Sequence, residues 1–118
     1  MDYDDTFSKD PDGWAHVARA MAGRGHKIIG CTMRYPDETD GMSTLYGEVC
    51  EQVHFSSRVA KRDYLASKGV VPDVWIDDRP DFIVSSARDL RQEQEEFERM
   101  EKSQSEASRE YTRGKLTI

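Results

Sequence analysis

The amino-acid sequence predicts an α/β fold with a parallel sheet, because short apolar segments alternate with segments that have helical features. Three apolar segments are typical of buried strands, 27–32, 53–55 and 74–76. Three other segments are candidate helices, about 12–23, 38–51 and 58–68. Polar residues follow the apolar segments, at the strand ends where ligands bind in such sheets. The length of 118 residues corresponds to one domain.

The first helix and the strand after it have the clearest local signals. Asp10-Pro11-Asp12-Gly13 contains turn and helix-start residues, and apolar residues recur at helical spacing after it. Gly23 and Gly25 indicate the end of this helix. The run Lys27–Thr32 then predicts a buried strand, which Tyr35-Pro36 ends.

The next two elements have weaker signals. We favour a helix over 38–51, although Gly41 and Gly47 lower the helix propensity of this segment. Val53–Phe55 is a candidate for a short strand.

The last helix and strand of the core follow in the same order. Ser57 is a plausible N-cap for a helix over about 58–68, and Gly69 is a plausible end. We expect the inner face of this helix to contain Val59, Tyr64 and Leu65. The apolar run Val74–Ile76 predicts a strand that stops at Asp77-Asp78.

Composition divides the chain into a core, 1–84, and a charged tail, 85–118. The tail is rich in Glu, Gln, Arg and Ser, and it lacks Gly and Pro before Gly114, so we expect a long polar helix over 85–113. Two interpretations of this helix remain open. It is either a solvent-exposed helix that packs one row of side chains on the core, or a helix that forms a homodimer or binds a partner.

Charge and cysteine content narrow the possible classes of protein. A net charge of −6 argues against nonspecific binding to nucleic acid, but it leaves room for a phosphorylated small molecule bound with a divalent cation. We expect no signal peptide and no membrane span, because no apolar run is long enough. Cys31 and Cys50 have no metal-binding spacing, so we expect reduced, buried thiols in a cytoplasmic protein.

The polar residues at the strand ends form a candidate site. In an extended chain, Asp2 and Asp4 point to the same side. Thr32 ends a strand and offers a hydroxyl group to a phosphoryl oxygen. Lys61 lies in the first turn of a predicted helix, where an anion is favoured. Asp77-Asp78 are adjacent acids, which repel each other unless a cation is bound, and oxygen ligands alone favour Mg²⁺.

Two further basic residues are candidates for contact with a phosphorylated substrate. Arg34 lies two residues after the strand end and could reach a substrate phosphate, or it could form a surface ion pair with Asp37 or Glu38. Lys68 is the alternative to Lys61, but it lies at the end of its helix, where a lysine only complements the helix dipole.

Taken in order, these segments resemble the four motifs of the haloacid dehalogenase-like superfamily. The DxDxT motif corresponds to Asp2–Thr6, and the strand that ends in a hydroxyl residue corresponds to Ile28–Thr32. The third motif is Lys61 within Val59–Leu65, and the strand that ends in paired acids corresponds to Trp75–Pro80. The acid pair followed by Arg-Pro also resembles the deoxyribonucleotidase branch and short capless members from phages.

This resemblance implies a three-layer Rossmann-like fold without a cap domain and a Mg²⁺-dependent phosphatase, possibly a nucleotidase. Asp2 would be the nucleophile that forms an aspartyl-phosphate, and Asp4 would be the general acid and base. Thr32 and Lys61 would hold the phosphoryl group. The expected metal ligands are Asp2, the Asp4 backbone carbonyl, Asp77 and Asp78. A binding module without turnover and a structural protein that assembles through 85–113 remain alternatives.

The start of the chain departs from the family pattern. In this family the nucleophile follows a buried central strand, whereas only Met1 precedes Asp2 here. The chain begins upstream, or another segment fills the gap, or the site is degraded. We favour the first possibility and expect about four to six further residues that form a strand ending at Asp2. Without such a strand, its neighbours, which end at Thr32 and Asp77, would have unpaired backbone groups.

Overall fold

The computed structural model describes residues 1–87 and 116–118. Its elements are a 3-10 helix Phe7–Lys9, α1 Pro11–Gly23, β1 Ile29–Thr32, α2 Thr44–Val49, β2 Gln52–Phe55, α3 Lys61–Ser67 and α4 Asp81–Val84. Most of the tail in which the sequence predicts a long helix and a dimer contact, 88–115, lies outside the described residues. Within the described part of the chain, no helix combines the length and apolar character needed to cross a membrane.

The predicted α/β class is confirmed, since helices surround a parallel strand pair. β1 and β2 are parallel, with Ile29 opposite Gln52 and Thr32 opposite Phe55. Helix α1 begins within one residue of the predicted start, and the Asp10 carboxylate accepts a hydrogen bond of 3.1 Å from the Gly13 backbone N–H. Local signals were therefore sufficient for the first half of the core.

Helix α3 begins three residues later than predicted. Ser57 and Arg58 have φ angles of 53° and 68°, in the left-handed region, so Ser57 is not an N-cap. Two hydrogen bonds explain the difference, because the Arg58 backbone N–H and guanidinium both donate to the Met33 carbonyl, at 3.0 and 2.7 Å. This tertiary contact keeps the chain out of the helix until Lys61, the first residue of α3.

Helix α2 is also shorter than the predicted range 38–51. It begins after Ser43, whose hydroxyl accepts a 3.3 Å hydrogen bond from the Leu45 N–H. Gly41 has a φ angle of 76°, a left-handed conformation that excludes it from an α-helix. The low propensity noted at this glycine thus corresponds to a real break.

The predicted strand 74–76 lies beside the sheet without a regular strand geometry. Its first residue, Val74, and the preceding Asp73 both donate their backbone N–H to the Thr117 carbonyl, at 3.2 and 2.8 Å. Two consecutive donors that share one acceptor interrupt the alternation of a regular ladder. The segment still reaches the sheet further along, where the Asp2 N–H donates to the Ile76 carbonyl at 2.9 Å.

Residues 1–2 lie between β1 and the 73–76 segment. The Met1 nitrogen donates to the Ile29 carbonyl at 2.7 Å, and the Cys31 N–H donates to the Met1 carbonyl at 3.1 Å. On the other side, Asp2 bonds to Ile76. Asp2 therefore lies at the end of a central strand position, between the two neighbours that the sequence predicted.

The strand position that leads to Asp2 is occupied by residues 116–118. The Lys27 and Ile29 N–H groups donate to the carbonyls of Leu116 and Ile118, at 2.9 and 2.7 Å, and Ile118 donates back to Lys27 at 3.0 Å. Lys27 and Thr117 form a parallel bridge. Residues 116–118 therefore fill this position, as in the second possibility considered for the gap. The expected residues before Met1 stay a prediction.

Apolar side chains form two clusters, and alternate residues of the first strand region belong to different ones. The first contains Met1, Tyr3, Phe7, Ala15, Ala18, Ile28, Tyr46, Val49, Cys50 and Ile118. The second contains Ile29, Cys31 and Leu65. Ile28 and Ile29 thus face opposite sides of the sheet, as alternation along a strand requires. Both cysteines are buried and unpaired, as the sequence predicted.

Gly30 allows the first cluster to reach the central strand position. A Cβ atom on Gly30 would lie 2.8 Å from the Cζ and hydroxyl atoms of Tyr46. The buried Tyr46 ring therefore needs a glycine at this position. Its hydroxyl donates a 2.7 Å hydrogen bond to the Met1 carbonyl, beside Asp2.

We predict that Gly30→Ala destabilises the protein by about 1–3 kcal/mol, because the methyl group displaces the Tyr46 ring. Gly47→Ala is the matched control, since a Cβ atom on this exposed residue of α2 meets nothing within 4 Å. We expect the control to be neutral or to stabilise by about 0.5–1 kcal/mol. Urea unfolding of both variants checks this, and equal stabilities would contradict the tight contact.

Candidate active site

Three carboxylates from two distant parts of the chain meet at one end of the sheet. Asp2, Asp77 and Asp78 each offer an oxygen atom, and these atoms lie within 4.8 Å of one another. Asp2 is buried, whereas Asp78 is exposed. The sequence predicted these three acids as a group, and the fold brings them together because each ends a segment that runs in the same direction through the sheet.

Lys61 lies between two of these acids and is almost fully enclosed. Its Nζ atom lies 2.8 Å from Asp2 Oδ1 and 2.5 Å from Asp77 Oδ2. The side chains of Lys61 and Asp77 are only 3% and 2% exposed. The Arg79 N–H occupies the other oxygen of Asp77, at 2.9 Å. Lys61 at the start of α3, rather than Lys68, is therefore the lysine of the site.

Lys68 lies elsewhere, as the sequence argument favoured. Its ammonium group is 5.6 Å from the centre of the Tyr64 ring. This cation–π contact on an exposed surface accounts for Lys68 without a catalytic role.

Thr6 is a further residue of the site, and it was missing from the predicted site residues. Its hydroxyl oxygen lies 3.2 Å from Asp78 Oδ1 and 3.5 Å from Asp2 Oδ2, and it also accepts the Asp78 N–H at 3.2 Å. The signal was present in the sequence, because Thr6 is the last residue of the DxDxT motif. Thr6 links the first acid of that motif to the acid pair.

Asp4 lies in a turn and not in the extended chain that the sequence predicted. The Thr6 and Ser8 N–H groups donate to the Tyr3 carbonyl, at 3.3 and 2.9 Å, and Asp5 has a φ angle of 57°. The backbone therefore turns directly after Asp2, so the two-residue alternation of a strand does not apply.

Arg34 holds the Asp4 carboxylate with two hydrogen bonds. Arg34 Nε lies 3.0 Å from Asp4 Oδ2, and Nη2 lies 2.7 Å from Oδ1. Arg34 Nη1 also donates to the backbone carbonyl of Glu38 at 2.7 Å. The carboxylate paired with Arg34 therefore belongs to Asp4, and not to Asp37 or Glu38, the two partners that the sequence suggested. These bonds, with burial as a smaller opposing effect, hold the pKa of Asp4 below its usual value.

Thr32 is fully buried at the end of β1. Its hydroxyl oxygen accepts the Arg34 backbone N–H at 3.3 Å. The hydroxyl hydrogen remains available as a donor, but its full burial means that a ligand must enter the sheet edge to receive it. Thr32 thus shapes the turn that presents Arg34.

Burial dominates the titration of Asp2. The pKa of Asp2 is raised to about 7. Removal from water is the largest cause, the positive charge of Lys61 opposes it, and the negative charge of Asp77 adds to the rise. For Lys61, burial alone would lower the pKa, but Asp2 and Asp77 raise it above its usual value. The lysine therefore stays charged, while Asp2 is poised near neutral pH.

The residues present suit a hard divalent cation. If all groups were ionised, the three carboxylates and one ammonium group would leave two uncompensated negative charges in a largely buried space. All candidate ligand atoms are oxygens, which are the donors that Mg²⁺ and Ca²⁺ prefer. The acid cluster is therefore a candidate metal site, in which the side chains of Asp2 and Asp77 are buried and Asp78 is exposed.

Comparison of the chain with protein-family profiles, curated protein sequences and solved structures finds no match.

We predict that, without metal, the contribution of Asp2 to stability falls as pH rises from about 4 to about 7. In this range folded Asp2 still holds a proton that the unfolded chain has released, so Asp2 lowers the free energy of unfolding. Above pH 7 this contribution is constant. The raised pKa of Lys61 acts only at higher pH.

Asp2→Asn mimics the protonated acid and should reduce this slope, whereas Asp5→Asn, at an exposed neighbour, should not. Melting temperatures in EDTA across this pH range measure the difference between variants. Equal slopes for wild type and Asp2→Asn would contradict the raised pKa.

Proposed function

We propose that the protein is a Mg²⁺-dependent phosphohydrolase of the haloacid dehalogenase-like type, acting on a phosphorylated small molecule. The observation that carries this proposal is Lys61, whose ammonium group contacts Asp2 and Asp77 at 2.8 and 2.5 Å. A purely structural lysine would be expected at the surface, because burial of three charged groups is unfavourable unless the arrangement serves a site.

The layering of the core supports the three-layer Rossmann-like fold that this family uses. Alternate residues of the first strand region belong to two apolar clusters, one packed with residues of α1 and α2 and the other with Leu65 of α3. Asp2 ends the central strand position, as the family nucleophile does. Among the described residues, the intervals between the motifs contain only short elements, which agrees with a capless site.

In the proposed mechanism, a carboxylate oxygen of Asp2 attacks phosphorus and the bond to the leaving oxygen breaks. Asp4 donates a proton to that oxygen. A water molecule then attacks the aspartyl-phosphate, Asp4 accepts its proton, and the bond between phosphorus and the Asp2 oxygen breaks to release phosphate. Lys61 restrains the Asp2 carboxylate throughout, and Arg34 and Thr32 are the proposed contacts for the phosphoryl group.

The proposed Mg²⁺ ligands are Asp2, Asp77, Asp78 and the backbone carbonyl of Asp4. The metal ion would supply positive charge that offsets the charge of the transferring phosphoryl group. The exposed position of Asp78 supports access of a hydrated cation from solvent. The two unpaired buried thiols support a reducing, cytoplasmic location.

A second candidate function is binding of a phosphorylated ligand or protein partner without turnover. The pairing of Arg34 with Asp4 favours it, because an acid with a lowered pKa is a poor proton donor near neutral pH. Turnover needs this pair to open when a substrate phosphate engages Arg34. A phosphatase screen over nucleotides and sugar phosphates, with calorimetry on the same compounds, separates binding from turnover.

We predict that Asp2→Asn abolishes turnover in the presence of Mg²⁺ and leaves the fold intact, because it removes the nucleophile and preserves its shape. Asp5→Asn, at an exposed residue three positions after Asp2, should keep wild-type activity. Steady-state kinetics on the best substrate of the screen measure both. Activity of Asp2→Asn within a factor of about ten, or 1.4 kcal/mol of barrier, would exclude Asp2 as the nucleophile.

We also predict that Mg²⁺ raises the melting temperature, because it binds the folded acid cluster and not the unfolded chain. At a concentration 100-fold above Kd, the stabilisation should reach about 2.7 kcal/mol. Asp78→Ala should weaken this response, whereas Asp37→Ala, at an exposed acid outside the cluster, should not. Absence of Mg²⁺ binding at millimolar concentration in a calorimetric titration would count against the site.

A further inference from the structure

Residues 116–118 make a dense set of hydrogen bonds for a segment of three residues. Besides the bonds to Lys27 and Ile29, the Thr117 carbonyl accepts from Asp73 and Val74 at 2.8 and 3.2 Å. The Thr117 N–H donates to the Asp73 carboxylate at 2.9 Å, and the Leu116 N–H donates to His26 Nδ1 at 2.9 Å. Both sides of the segment are thus paired, as in an interior strand.

The hydrogen-bond register relates this segment to Met1. In a parallel pair, one residue donates its N–H to one partner residue and accepts at its carbonyl from the residue two positions later. Lys27 donates to Leu116 and accepts from Ile118. Ile29 donates to Ile118 and accepts from Met1, so one register position lies between Ile118 and Met1.

Side-chain alternation gives the same register independently. Leu116 and Ile118 are two residues apart and pack against the first cluster, to which Met1 also belongs. Met1 and Ile118 line one apolar depression with residues of α1, including Trp14. Because side chains alternate along a strand, Ile118 and Met1 share a face only when an odd number of positions separates them.

We propose that Leu116–Ile118 and Met1–Asp2 are two halves of one interrupted central strand, and that docking of Leu116–Ile118 positions the acid cluster. The two halves share Ile29 as a partner on one side and the 73–76 segment on the other. That segment leads directly into Asp77-Asp78. Leu116–Ile118 therefore positions the acids indirectly. On one side it pairs with Ile29, which also holds Met1 beside Asp2, and on the other it pairs with the segment that leads into Asp77-Asp78.

The inference has a test based on chain connectivity. Three circular permutants keep all 118 residues, open the chain between Ser103 and Gln104, and join Ile118 to Met1 through no residue, one Val or Val-Thr. We expect the one-residue link to preserve or raise the melting temperature and to preserve Mg²⁺ affinity. Direct joining cannot span two strand rises, about 6.6 Å, so it should displace one half.

A shift of one position turns the side chains of the displaced half to the opposite face of the sheet. If Met1–Asp2 shifts, Asp2 moves away from Lys61, and if Leu116–Ile118 shifts, Ile118 moves away from α1. We expect directly joined chains to bind Mg²⁺ about 10-fold to 100-fold more weakly than the one-residue form. The two-residue link should fall between them, since a bulge can absorb the extra residue. Equal melting temperature and affinity for the direct and one-residue links would overturn the inference.

A second measurement uses the full chain without permutation. Amide hydrogen exchange should be slow at Lys27 and Ile29, whose N–H groups donate to Leu116 and Ile118. Ile118→Asp should accelerate exchange at both amides and weaken Mg²⁺ binding, whereas Ile118→Val should restore wild-type values for both. Fast exchange at Lys27 and Ile29 in the wild type, beside a protected Cys31 amide, would overturn the inference even if no permutant folds.

Only the Mg²⁺ readout rests on the proposed function. If the wild-type protein binds no Mg²⁺, the proposed function fails, and the melting temperatures and exchange rates still decide the inference. If Mg²⁺ binds equally in the wild type and Ile118→Asp while exchange accelerates, the segment pairs with the sheet but does not position the acids, and the second half of the inference is wrong.

Discussion

The buried contact of Lys61 with Asp2 and Asp77 is the interaction on which the rest of the structure depends. An unpaired charge in this space would be strongly unfavourable, and removal of one partner from a buried pair commonly costs about 3–5 kcal/mol. The three side chains come from the central strand position, the start of α3 and the end of the 73–76 segment. These elements must therefore meet with little freedom, and the exposed Asp78 is placed as a consequence.

The two acids of the DxDxT motif have opposite electrostatic environments. Burial raises the pKa of Asp2 to about 7, whereas the bidentate contact with Arg34 lowers that of Asp4. In the proposed function Asp2 must be ionised and Asp4 protonated, so the free protein has the reverse of the arrangement that the proposed turnover requires. A cation beside Asp2 and a phosphate beside Arg34 would each correct one acid. In the proposed function, ligand binding therefore completes the site.

The sequence by itself determined the α/β class and indicated most of the residues that the fold brings together in the candidate site. These are local properties, because an apolar run predicts a strand and the polar residue that follows it lies at the sheet edge. Thr32, Asp77 and Asp78 were found in this way, whereas Asp2 was found from its spacing to Asp4 and Lys61 from its place near a helix start. Thr6 belongs to the same motif and was available to the same argument.

Only the tertiary structure decided what fills the central strand position and where Asp4 points. Strand pairing joins residues far apart in the chain, and no local pattern in 116–118 indicates Lys27 or Asp73 as its partners. Likewise, the turn after Asp2 directs Asp4 to Arg34, which is 30 residues away. Local propensity specifies each element. Which distant segments pair is decided only in the folded sheet, because buried backbone N–H and carbonyl groups there must each find a hydrogen-bond partner.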